Sequence, residues 1–237
     1  MAKLIMVIDT KRCTGCHTCA MACKLENNLP NNVWWNQVFS GTIDDFTGDR
    51  STFTEGHLRP NANLKVDVAA GEFGHSGGIV NSPTERRVSM NFWTKACQHC
   101  EDPVCVKICP YGALYKDPNT GVVDTYFDKC VGCNMCIREC PYDVRHHNNE
   151  EDYYLSNVGG QGVNKHETGK VDKCTFCSHR LPQGEQPFCV SQCPHKARYF
   201  GDYNDPSSTV SRLLRTRKHK RLLESAGTGP SVYYLMD

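Results

Sequence analysis

The chain has 237 residues, 27 Lys and Arg against 26 Asp and Glu, and a formal charge of +1. So even a balance offers no extended basic surface for nucleic acid. Its apolar runs are short, as at Leu4–Ile8, which excludes a membrane-spanning helix of roughly 18 residues or more.

In chain order, a β-branched stretch at Met6–Asp9 is expected to form a strand. That run stops at Asp9, too soon for a signal-peptide core, so any export would depend on a partner. A first cysteine group follows, Cys13, Cys16, Cys19 and Cys23. Lys24–Ala96 is free of cysteine and reads as polar loop with short strands, carrying "NNVWWNQVF" (Asn31–Phe39) and "GEFGHSGG" (Gly71–Gly78). Two readings stand for it: a surface layer with Trp34 and Trp35 in its core, or a docking surface anchored by large aromatics. The second group is Cys97, Cys100, Cys105 and Cys109; the third is Cys130, Cys133, Cys136 and Cys140. Between them a turn is predicted at Asp117–Gly121. Asn148–Gly169 reads as an exposed linker or hairpin, and the fourth group is Cys174, Cys177, Cys189 and Cys193. A helix is predicted from Pro206 to Gly227, with Val210, Leu213 and Leu214 on one face and a solvated basic face over Arg212–Arg221.

All sixteen cysteines fall into these four groups. A secreted disulfide scaffold is usually short and carries its own signal, which does not fit. Zinc needs four ligands, typically two C-x2-C pairs, and leaves no role for a third cysteine two residues further on. A 4Fe–4S cubane uses that third thiolate. The loop C-x2-C-x2-C wraps three corners, and a later cysteine ahead of a proline serves a second cubane. Groups one and three have this spacing, while groups two and four lengthen the middle but keep the two ends.

The repeat extends beyond the thiols. "MVID", "GVVD" and "GKVD" precede three of the groups, and "YGALY", "YDVRH" and "HKARY" follow Cys-Pro. The unit is therefore strand, ligand loop, short helix, strand. Only 20 residues separate Cys109 from Cys130, against 73 between Cys23 and Cys97, so groups two and three are expected to form one compact unit. Group one departs from the pattern in having Lys24 where a proline would follow.

The stretch from Cys97 to Arg145 resembles a bacterial ferredoxin with a stretched first motif. The four groups together, with "KCTFCSHRL", "ARYFGD" and "GTGPSVYYL", resemble the four-cluster iron–sulfur subunit of the dimethyl sulfoxide and polysulfide reductase family of molybdopterin oxidoreductases. That resemblance implies an α+β fold of two ferredoxin-like modules, each holding two 4Fe–4S clusters. One would span residues 91–147; the other would combine 1–30 with 165–202. Residues 31–90 would be an insertion, and 203–237 a C-terminal helix and closing strand.

The resemblance further implies a wiring. Cys13, Cys16, Cys19 and Cys193 would hold one cluster, and Cys97, Cys100, Cys105 and Cys140 a second. Cys130, Cys133, Cys136 and Cys109 would hold a third, and Cys174, Cys177, Cys189 and Cys23 the fourth. The implied function is non-catalytic electron transfer in anaerobic respiration, between a quinol-oxidising membrane subunit or soluble donor and a molybdopterin catalytic subunit. Such a chain would sit at the membrane through its partners, extracytoplasmic if exported with the catalytic subunit and cytoplasmic otherwise. The alternative is a free-standing polyferredoxin; the long insertion and closing segment argue for a permanent complex.

Each oxidised cluster with its four thiolates carries about −2, which would bring the holoprotein to about −7. Arg12, Lys129 and Lys173 precede first ligands and are candidates to offset that charge, or to point into water. His17, His99, His146, His147 and His179 lie near the ligands, but no cysteine is missing for a Rieske-type replacement.

Overall fold

The computed structural model describes residues 2–41, 43–46, 48, 91–149, 153, 159–160, 163 and 166–236. The Gly-rich run at 71–78 and most of the insertion lie outside the described residues.

One four-stranded sheet ties the two ends of the chain together. Strand β1 (Leu4–Asp9) pairs in parallel with β10 (Val232–Leu235) and antiparallel with β8 (Arg198–Asp202). β9 (His219–Lys220) closes the far edge against β10. Side chains alternate across a strand, and here the alternation separates two cores. Ile5, Val7, Tyr233 and Leu235 pack with Val210 of helix α5 (Thr209–Thr216). Met6, Ile8, Val232 and Tyr234 face the other way, into a larger core that holds Cys19, Cys23, Cys97, Cys140, Cys174 and Cys189.

Helix α5 begins at Ser208, whose Oγ accepts from the Ser211 backbone N–H at 3.2 Å. Its apolar face is the predicted one, since Leu213 and Leu214 join Val210 against the sheet. The helix ends at Thr216, however, well short of Gly227. The pairing of Lys220 with Tyr234 and of His219 with Leu235 requires extended backbone, which Arg217 enters at φ −123° and ψ 147°. Leu222 then turns into the main core. The basic run is mostly exposed, with Lys220 against Asp44 at 2.9 Å and Arg217 against the buried Asp9 at 2.5 Å.

The cysteine-bearing units are built as expected from the repeat. Short helices α1 (Thr18–Glu26), α2 (Val104–Lys107), α3 (Met135–Arg138) and α4 (Phe188–Ser191) follow the four loops. α1 packs against α4, and α2 against α3. Hairpin-like pairs join β4 (Leu114–Lys116) to β5 (Val123–Thr125) and β6 (His146–His147) to β7 (Val171–Asp172). The latter pair, with the Gly169 N–H donating to the Asn148 carbonyl at 2.7 Å, closes the base of the 148–169 linker. Much of that linker lies outside the described residues.

The start of the insertion is fixed by its aromatics. β2 (Gln37–Ser40) pairs with β3 (Phe92–Lys95), and Phe39 stacks on Trp93 with centroids 4.7 Å apart. Trp34 and Trp35 are both buried within the chain, as the surface-layer reading expects, and offer no exposed anchor. Trp34 lies under the Lys24 ammonium, 4.3 Å from the ring centroid. Trp35 donates its indole N–H to Asp172 at 3.1 Å and meets His166 edge-on.

His166 completes that node. Its Nδ1 lies 2.7 Å from Asp172 and its Nε2 2.7 Å from the Asn27 carbonyl. Only the imidazolium donates from both nitrogens. Burial disfavours that charge, but the Asp172 carboxylate outweighs it and holds the His166 pKa above its ordinary value. A raised pKa stabilises the fold below the ordinary value and loses that contribution as pH climbs through the raised one. The difference in Tm between wild type and His166→Gln should therefore be largest below pH of about 6.5 and shrink above it. A pH-independent difference would contradict the ion pair.

Candidate metal centres

The four ligand loops share one backbone device. The second residue after the first cysteine takes a left-handed conformation in every group: Gly15 at φ 68°, His99 at 42°, Gly132 at 68° and Phe176 at 55°. This turn brings the two cysteines of C-x2-C to one side. Glycine adopts it without strain. A side chain at Gly15 would strike the Phe92 ring, and one at Gly132 the Gly169 carbonyl. Where glycine is absent, His99 and Phe176 stack on each other with centroids 3.8 Å apart. Equivalent positions of groups two and four thus form one contact.

The third cysteine of each group rides on the helix that follows, Cys19 on α1, Cys105 on α2, Cys136 on α3 and Cys189 on α4. Proline ends the helical stretch after three of the groups. In group one Lys24 lets α1 continue to Glu26, and its buried ammonium donates to the Pro30, Asn31 and Val33 carbonyls at 2.6, 2.9 and 3.1 Å. Burial pushes the Lys24 pKa down to about 8.

The thiols ring three cavities, each combining three cysteines of one group with the last cysteine of another. Cys174, Cys177, Cys189 and Cys23 border a cavity of about 470 Å³, its mouth included. Cys13, Cys16, Cys19 and Cys193 border one of about 370 Å³. Cys130, Cys133, Cys136 and Cys109 border one of about 350 Å³. The remaining four cysteines also gather, since Cys97, Cys105 and Cys140 all act electrostatically on Cys100. Among the described residues, no three His, Cys, Asp or Glu side chains converge on a point that could hold a single ion. Thiols spaced around a cavity suit a core of several metal atoms.

Burial, then the neighbouring thiols, pushes Cys100 and Cys177 up to about 12 and raises Cys23 and Cys174 well above the ordinary thiol range. Thiols so placed ionise only against strong positive charge, which an iron core supplies. Backbone and side-chain donors are already aimed at sulfur: the Ala197 N–H lies 3.3 Å from Cys193 Sγ, and the Asn27 amide 3.6 Å from Cys23 Sγ. The donor set fits the group.

Of the three cations singled out in the sequence, Lys173 alone is buried, donating to the Val123 and Cys174 carbonyls. Arg12 is exposed and donates to the Tyr199 hydroxyl at 2.7 Å, and Lys129 is an exposed cation 4.7 Å from the Tyr126 ring centroid. Two buried arginines among the thiols, Arg145 and Arg198, went unremarked in the sequence. Their signal was present in "CPYDVR" and "CPHKAR", which put Arg at the same offset. Each of the three cavities has four cysteines in its lining without counting a histidine. His99 is buried, with Nδ1 accepting from the Val123 N–H at 3.1 Å, and His179 pairs with Glu26 at 2.9 Å.

Comparison with known proteins agrees with this chemistry. A 4Fe–4S dicluster domain family matches residues 88–155 and 162–203, and a 4Fe–4S binding domain family matches residues 10–31. The provisionally named dimethyl sulfoxide reductase iron–sulfur subunit of Halobacterium salinarum is 38% identical, over 97% of this chain and 78% of its own length. A selenate reductase subunit of Mesobacillus selenatarsenatis is 35% identical, over 98% of this chain and 71% of its own. The arsenate respiratory reductase iron–sulfur subunit of a Shewanella species is 31% identical, over 98% and 96%.

The three cations should separate in a stability measurement. Lys173→Met leaves two buried carbonyls without their donor, a loss of about 1–3 kcal/mol. Arg12→Ala and Lys129→Ala should stay within about 0.5 kcal/mol of wild type. Anaerobic thermal unfolding checks this, and equal losses in all three would contradict the burial of Lys173.

Proposed function

The chain belongs to the family of 4Fe–4S iron–sulfur subunits that has members in dimethyl sulfoxide, selenate and arsenate reductases, and on that premise we propose that it relays electrons through four 4Fe–4S clusters to or from a molybdopterin catalytic subunit. Each bound cluster takes up and releases one electron, and the polypeptide supplies ligation, hydrogen bonds to sulfur, burial and local charge. Substrate reduction belongs to the catalytic subunit.

In this reading the clusters are held by Cys13, Cys16, Cys19 with Cys193; by Cys174, Cys177, Cys189 with Cys23; by Cys97, Cys100, Cys105 with Cys140; and by Cys130, Cys133, Cys136 with Cys109. Residues 1–30 with 165–202 form one two-cluster module, 91–147 the other, with 31–90 inserted and 203–237 closing the sheet. The observation that carries it is the composition of the three cavities, each lined by three cysteines of one group and the last of another.

The order of the relay follows from exposure and contact. Cys16 and Cys133 are the exposed thiols, one in each outermost ring. The inner rings approach each other where Cys97 acts on Cys174 and where His99 stacks on Phe176. Electrons would then pass from the Cys13 ring to the Cys174 ring, the Cys97 ring and the Cys130 ring, or in reverse. The exposed ends would face partner subunits: the catalytic subunit at one, and a quinol-oxidising membrane subunit or soluble donor at the other. No helix among the described residues is long and apolar enough to cross a membrane, so membrane attachment would come through that partner.

Anaerobically prepared chain should contain about sixteen iron and sixteen acid-labile sulfide. Zinc as the dominant metal, or fewer than about twelve irons in fully loaded material, would contradict four clusters. The crossed wiring has its own test. Cys23→Ser should alter the cluster of Cys174, Cys177 and Cys189, because serine is a harder and more basic ligand, and leave the cluster of Cys13, Cys16 and Cys19 unchanged. If Cys23→Ser and Cys16→Ser disturb the same spectroscopic signal while Cys174→Ser disturbs another, each group closes its own cluster and the crossing is wrong.

A further inference from the structure

Arg145 and Arg198 each stand five residues after the last cysteine of their group. Both are buried, at 4% and 5% exposure, and the hydrogen bonds of Arg198 go to Met6, Cys189, Asn36 and Thr94 and to no carboxylate. A guanidinium removed from water requires compensating negative charge. What surrounds these two is sulfur.

Arg198 borders both the cavity of Cys23, Cys174, Cys177 and Cys189 and that of Cys13, Cys16, Cys19 and Cys193. Its Nη1 lies 3.3 Å from Cys189 Sγ, while Nη2 donates to Asn36 Oδ1 at 3.0 Å and to the Thr94 hydroxyl. Its charge acts on Cys19, Cys189 and Cys13, thiols drawn from both rings. Arg145, buried in the other half of the chain, has matching electrostatic neighbours although it does not line the cavity ringed by Cys130. It acts on Cys105 and Cys97 of one ring and Cys136 of another. Both of its Nη atoms are buried without a well-aligned hydrogen bond to a described residue, and the Cys105 thiol lies close enough to act on the guanidinium. Burial opposes the charge in each case, but a guanidinium is not deprotonated in proteins, so both keep it.

We propose that Arg145 and Arg198 are paired bridging cations, each set between the two clusters of one module and raising the reduction potentials of both together. This rests on the four-cluster reading above. A fixed positive charge favours the more negative, reduced state of any cluster near it, and one placed between two clusters also offsets their mutual repulsion. Arginine suits the place because its planar fork presents donors in several directions from one delocalised charge, whereas lysine offers a compact point charge. Lys173, by contrast, is turned to backbone carbonyls. Arg145 and Arg198 would act as positioning and tuning residues and ligate nothing.

The test uses the full chain produced with its partner subunits, carrying Arg198→Met or Arg145→Met, with Arg198→Lys and Arg145→Lys beside them. Iron content is measured, and each cluster is titrated potentiometrically by electron paramagnetic resonance. Arg198→Met should lower the potentials of the two clusters ringed by Cys13 and Cys174 and leave the other two unmoved. Arg145→Met should do the converse, and each Lys variant should fall between its Met counterpart and wild type. A shift confined to one cluster, an equal shift of all four, or no shift would overturn the proposal. Should a Met variant lose iron, the matching Lys variant decides. Full loading with an intermediate shift upholds the bridging charge, and equal iron loss overturns it in favour of a packing role. A wild-type protein with fewer than four titrating clusters defeats the four-cluster reading itself, an outcome visible before any variant is compared.

Discussion

Cys23, Cys193 and Cys109 each line a cavity with three cysteines of another group, and on the proposed ligation the rest of the structure depends on this exchange. Cys23 stands among thiols that follow it by some 150 residues, and Cys193 among thiols near the N-terminus. Neither of these two rings can close until both ends of the chain are in place. The sheet answers this requirement: β1 is held between β8 and β10, so the first strand pairs with two from the C-terminal fifth. The packing of α1 on α4 and of α2 on α3 then sets the third cysteines of paired groups near each other. Loop closure on this scale is entropically costly and slow to form. Cluster binding by N but not by U would stabilise the closed state further.

Charge is the second organising factor. Lys24, Lys95, Lys173, Arg145 and Arg198 are all buried, although isolated buried cations are ordinarily among the most costly features of a fold. They divide by what they face, Lys95 lying over the Phe39 and Phe46 rings. Lys24 and Lys173 are held by backbone carbonyls and so stabilise turns beside the ligand loops. The arginines face sulfur. With about −2 at each proposed cluster, the buried cations offset part of the interior's negative charge, and they acquire a functional direction as well as a structural one.

The sequence made the ligand loops legible because cysteine spacing is local and chemically narrow. The strands ahead of the loops were legible too, and the small or branched residues after Cys-Pro, Ala113, Val144 and Ala197, are all buried. What local pattern could not reveal depended on distant partners. The C-terminal helix stops at Thr216 because β10 recruits His219 and Lys220, and nothing in the periodicity of "SRLLRTRKHKRLL" announces that strand. Lys24 looked like a missing proline and is instead the reason α1 runs on. The His99–Phe176 stack joins residues 77 apart at equivalent loop positions, and only the folded chain shows that they meet. The arginine repeat was present in plain view, but its burial is a tertiary fact.

The most direct measurement is anomalous diffraction at the iron edge from anaerobically grown crystals of the loaded complex. The account predicts four iron centres in one line, ordered from the ring of Cys13 through those of Cys174 and Cys97 to that of Cys130, each bonded to one cysteine from a partner group. Iron centres each bonded only to cysteines of a single group, or a different order along the line, would contradict it.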